Sequence, residues 1–85
     1  MSISHDLYTE YDWLGEGRVR ETGGDLDGAL KAYEEALKMN PGFATAWYRK
    51  ALVHHRLGQK TEAAACAKKV IELKPEWEKH VKQFL

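Results

Sequence analysis

The chain has 85 residues, the length of one domain with a modest core. Its 44% hydrophobic and 31% charged residues are ordinary for a soluble globular protein, and its net charge of zero argues against a dedicated nucleic-acid binder. Cys66 is the single cysteine, so an internal disulfide is excluded and a reducing, cytoplasmic compartment is expected.

The segment 1–12 has no basic, apolar leader, and the longest apolar stretch, Ala63–Ala67, is far too short to span a membrane. The neutral total hides a division. Residues 1–40 hold nine Asp/Glu and four Lys/Arg, a net of −5, and residues 41–85 hold four and nine, a net of +5. One reading is two ordinary solvated faces. The other is an end that attracts acidic partners, or two copies meeting head to tail.

In chain order, Tyr8 to Thr22 lacks proline and stops at Gly23-Gly24, which supplies a left-handed helix end. Asp25 can cap the next helix, Leu26 to Met39, in which Ala29, Leu30, Tyr33, Ala36 and Leu37 recur at helical spacing. Asn40-Pro41-Gly42 breaks it, because proline lacks a donor and restricts its predecessor. Phe43 to Leu57 forms a third helix, closed by Gly58, and Lys60 to Leu73 a fourth, closed before Pro75. Glu76 to Leu85 reads as a fifth, with Trp77, Val81 and Phe84 on one face and Glu78, Lys79, Lys82 and Gln83 on the other.

A shift of 34 residues aligns the chain with itself. Trp13 falls on Trp47, Gly17 on Ala51, Gly24 on Gly58, Ala29 on Ala63, Pro41 on Pro75 and Phe43 on Trp77. The pairs Gly17/Ala29 and Ala51/Ala63 let antiparallel helices approach closely, and the short loops force neighbours to run antiparallel.

These residues resemble the tetratricopeptide repeat, whose period is 34 residues. Trp13, Gly17, Gly24, Ala29, Tyr33, Ala36 and Pro41 match in the first unit, and Trp47, Ala51, Gly58, Ala63 and Pro75 in the second. The departures are Arg20 and His54 in place of tyrosine, Glu16 and Lys50 in place of leucine, and Ala67 in place of an aromatic residue. The resemblance implies an all-α, right-handed superhelical stack of helix–turn–helix repeats. It divides the chain into a lead-in over 1–9, repeats over 10–43 and 44–77, and a capping helix over 78–85 that begins near 76. Two repeats are few for such an array, so the fifth helix caps Val70 and Ile71, or two copies meet, or the chain is part of a longer one; the sequence leaves all three open.

The resemblance also implies a protein-interaction module with a concave groove, and catalysis is not expected because the sequence has no GxSxG, no HExxH and no glycine-rich phosphate loop after a strand. The expected groove residues are Tyr11, Leu14 and Arg18, then Thr45, Tyr48, Arg49, Leu52, His55 and Arg56, then Lys79, Lys82 and Gln83. Aromatic floor and basic edge predict an acidic or C-terminal peptide or helix as ligand. In a competing reading, Tyr48 and Leu52 lie under the segment 3–7. The family's carboxylate clamp is matched at Lys79 alone among Leu14, Arg18, Arg49, Lys79 and Gln83, so chaperone-tail specificity is not expected. No cofactor or metal is expected: His54 and His55 are adjacent and point about 100° apart on a helix, and Cys66 reads as a packed small residue. A homodimer through the charge-complementary halves is the alternative function.

Overall fold

The computed structural model describes residues 5–85. Four helices run antiparallel to their neighbours: α1 (Glu10–Thr22), α2 (Leu26–Met39), α3 (Ala44–Arg56) and α4 (Lys60–Leu73). A C-terminal segment follows as a 3₁₀ turn (Pro75–Trp77), the single turn α5 (Glu78–Val81) and a second 3₁₀ turn (Lys82–Phe84). No strand occurs among the described residues. The helices stack in pairs, α1 on α2 and α3 on α4, with α2 and α3 forming the seam between repeats. The stack is elongated, 43 × 24 × 16 Å.

Local chemistry sets the helix ends. Asp25 caps α2 as expected, its carboxylate accepting from the Gly28 N–H at 2.9 Å. Gly24 and Gly58 hold φ of +88° and +76°, the left-handed conformation that lets each repeat turn sharply between its two helices. α1 starts at Glu10 rather than Tyr8. Thr9 and Asp12 form a reciprocal capping box in which Thr9 N–H donates to the Asp12 carboxylate at 2.9 Å and Asp12 N–H donates to Thr9 Oγ1 at 3.3 Å. Tyr8 instead packs edge-on against Trp13 at 5.0 Å. Phe43 and Leu57 are the flanking caps of α3 rather than its terminal helical residues.

The fifth helix is not continuous over 76–85. A stretch that short is marginal as an isolated helix, and tightening both ends into 3₁₀ turns keeps its apolar residues on the neighbouring helix. Those residues are the expected ones: Val81 and Phe84 are buried, Trp77 packs beside them, and all three cover Val70 and Ile71 of α4.

The core consists of three small clusters along the stack. Ala29, Tyr33 and Val53 form one, Ala36, Leu37 and Ala46 a second, and Ala51, Ala63, Cys66, Ala67 and Val70 a third that extends to the C-terminal segment. Alanine dominates, so helices approach closely and no cluster is large. Gly17 is buried, but what crowds it is the ring of Tyr33, one turn beyond Ala29; a β-carbon at Gly17 would collide with that ring.

The polar departures from the repeat pattern are each partnered. Glu16 and Arg20 pair at 3.6 Å, and Arg20 also reaches Asp25 at 3.1 Å. Lys50 lies over the Trp47 ring at 5.1 Å and 4.0 Å from Glu34. His54 Nδ1 stands 2.7 Å from Gln59 Oε1.

Candidate functional site

α3 and the C-terminal segment flank an open cavity of about 420 Å³, lined by Thr45, Tyr48, Arg49, Trp77 and His80. Helical spacing puts Thr45, Tyr48 and Arg49 within one turn of α3. Trp77 and His80 stand three residues apart on the opposite wall, where the cap of the core brings them. The Arg49 guanidinium lies over the Tyr48 ring, 5.9 Å from its centroid. Arg49 Nε is buried and has no hydrogen-bond partner among the described residues. A buried charged donor left unpaired is costly, so an acceptor brought by a ligand gains more here than at a solvated arginine.

The other expected groove residues are dispersed. Tyr11 is 68% exposed and meets Phe43 edge-on at 5.3 Å. Leu14 is half-buried and packs against two of the core clusters. Leu52 packs against the third. Arg18 lines a shallow depression on α1 with Gly15, Val19 and Thr22. Arg56 pairs with Glu21 at 3.7 Å, and Glu21 in turn accepts from the Tyr33 hydroxyl at 2.7 Å. Burial, and then the Glu21 carboxylate, raise the Tyr33 phenol far above its ordinary range, so it stays a donor at every working pH. His55 packs on the Phe84 ring at 5.0 Å and, with Gln83, lines a separate cleft at the end of the stack. Lys79 and Lys82 are exposed on the C-terminal segment outside the cavity lining.

The cover of Tyr48 and Leu52 by the N-terminal segment finds no support at Leu7, which is 91% exposed; Ile3 lies outside the described residues. Two cavity residues were not on the expected list, Trp77 and His80. In the sequence Trp77 reads as part of the capping face alone, and the signal for His80 is its place three residues further along the same short segment.

A sequence profile described as tetratricopeptide repeat matches residues 14–76, more than half of the chain. The chain belongs to the tetratricopeptide repeat family. A stretch of 43 residues is 40% identical to an uncharacterised protein of Methanocaldococcus jannaschii, covering 51% of this chain and 50% of that protein. A stretch of 64 residues is 30% identical to Hsp70-Hsp90 organizing protein 2 of Arabidopsis thaliana, covering 75% of this chain but 11% of that protein. The chain therefore spans half or less of the length of these relatives. Tetratricopeptide repeats generally mediate protein–protein interaction, which is the coarse function of this domain. No helix among the described residues is long and apolar enough to cross a membrane.

Proposed function

We propose that this tetratricopeptide-repeat domain is a cytoplasmic adaptor that holds an acidic or C-terminal peptide in the cavity between α3 and the C-terminal segment. The observation that carries this reading is the buried, unpaired Arg49 Nε at the wall of an aromatic cavity. A carboxylate entering there satisfies the guanidinium, and Tyr48 and Trp77 supply flat apolar area at small entropic cost. The exposed Lys79 and Lys82 add a positive approach from the C-terminal segment. Chaperone-tail specificity is not part of the proposal, because the clamp positions of the family are kept only at Lys79.

Affinity capture from the source lysate tests it. The chain should retain an acidic partner that Tyr48→Ala and Arg49→Glu both release, with folding checked by circular dichroism. Unchanged capture by both folded variants would place the partner elsewhere.

A second reading rests on the division of charge, −5 over residues 1–40 and +5 over 41–85. Two copies meeting head to tail would form a structural dimer. Sedimentation should then show a dimer at low salt that dissociates at high salt, because exposed pairs are screened within about 10 Å at 0.1 M. A monomer at both salts removes this reading.

A further inference from the structure

The 34-residue offset lets one junction between repeats serve as the reference for the next. At the first, Leu14 of α1 and Phe43 both pack on the cluster of Ala36, Leu37 and Ala46. Tyr11, one turn before Leu14, sets its ring edge-on to Phe43, with 5.3 Å between centroids and 68° between planes. The chain fills this junction with a ring of its own.

Thirty-four residues further on, Tyr48 stands for Leu14, Arg49 for Gly15, Trp77 for Phe43 and His80 for Ala46. Tyr48 and Trp77 again pack on one cluster, the third of the core. The counterpart of Tyr11, however, is Thr45. A threonine side chain ends at its γ atoms, so α3 sends no ring across to Trp77 from this position. These same five residues line the open cavity of about 420 Å³. His80 is exposed where Ala46 is fully buried, which leaves the mouth open on that side.

The cavity is therefore the repeat equivalent of a packed junction, short of one aromatic side chain. We propose that it takes a tyrosine or phenylalanine of the bound peptide, which lies against Trp77 as Tyr11 lies against Phe43. This assignment rests on the peptide-binding reading of the cavity given above and adds the residue that the peptide must carry. Edge-to-face pairing with Trp77 favours a ring over an aliphatic side chain of similar area. Arg49 lies one turn beyond Thr45 on the same helix, so the carboxylate it meets belongs to a residue adjacent to the aromatic one.

The test titrates the isotope-labelled 85-residue chain with the acetylated, amidated peptide Glu-Glu-Tyr-Glu-Glu. Its counterparts are Glu-Glu-Ala-Glu-Glu and Gln-Gln-Tyr-Gln-Gln. The Trp77 indole and the amides of Thr45 and Arg49 report binding. The tyrosine peptide should bind about tenfold more tightly than the alanine peptide, and its ring protons should show nuclear Overhauser contacts with the Trp77 indole. Thr45→Tyr should supply the ring from within, so that the tenfold preference disappears while the melting temperature is kept. Equal binding of the tyrosine and alanine peptides, with shifts at Arg49, would overturn the aromatic assignment and leave the acidic reading standing. Trp77 contacts that persist undiminished with the Gln peptide would support the aromatic seat and remove the acid. Absent shifts at all three residues would overturn both. Tyr11 is 68% exposed between Glu10 and Asp12. Trp77 shifts on concentrating the chain without peptide, lost in Tyr11→Ala, would thus give the seat to a second copy and overturn the peptide assignment.

Discussion

Two glycines of α1, two residues apart, have opposite value. Gly15 is exposed, and a β-carbon there meets nothing within 4 Å. Gly15→Ala should stabilise the fold by about 0.5–1 kcal/mol, by lowering the entropy of the unfolded chain. Gly17 faces the Tyr33 ring, which is fully buried and held by its bond to Glu21, so it has no room to retreat. Gly17→Ala should cost about 1–3 kcal/mol. Urea unfolding of both variants checks the pair, and a shift of the same sign for both would refute the account. Cys66 yields a different expectation. Cys66 is 4% exposed, and burial pushes the pKa of its thiol up, so little reactive thiolate forms. Iodoacetamide at pH 8 should label it only as fast as the protein opens, and labelling within minutes under native conditions would contradict its burial. The sequence already placed Cys66 as a packed residue, because four neighbouring alanines leave it no chemical partner. It did not place Trp77 and His80 in a cavity, since both the cap and the cavity draw on the same short segment.

At the level of the helices, caps were the most readable feature. Asp25 was legible because an Asx residue directly after a glycine stop has one obvious use. Its carboxylate is held below its ordinary pKa, first by the Gly28 N–H and then by Arg20. A depressed carboxylate stabilises the fold above its unfolded pKa of about 3.9 and loses that contribution as the pH falls below it. Asp25→Asn keeps a capping oxygen but removes the charge. The melting temperature of the wild type should therefore exceed that of the variant near neutral pH, and the gap should close below about pH 4. A gap independent of pH would mean that charge plays no part. The limits of α1 and the breaks in the C-terminal segment were less readable. Thr9 and Asp12 make a capping box with a shorter acid than usual, and the choice between α and 3₁₀ turns over 75–85 follows from contact with α4, which periodicity does not carry. The spacing of Trp77, Val81 and Phe84 survives those breaks because packing selects the side chains, whatever turn delivers them.

Over the whole molecule, the repeat was plain in the sequence and the site was not. Trp13, Trp47, Gly24, Gly58, Pro41 and Pro75 mark each turn of the stack locally, whereas the cavity depends on how far two repeats and a cap curve together. Hence Tyr48 and Arg49 meet there, while Leu14 and Leu52 turn to the core. The bond from Tyr33 to Glu21, and the pairing of Glu21 with Arg56, tie the end of α1, the middle of α2 and the end of α3 at one point. A linear array would ordinarily be free to melt from either end, one unit at a time. This knot opposes that freedom in its first half, because α1 swinging away strips the buried Tyr33 hydroxyl of its acceptor, while the half-exposed Arg56 pair adds little. Amide protons of α1, α2 and α3 should then exchange with a common opening free energy, and Tyr33→Phe with Glu21→Gln should split them into a faster α1 and a slower remainder. The first repeat would thus behave as a latch on the seam, giving a short stack the all-or-none melting of a globular domain.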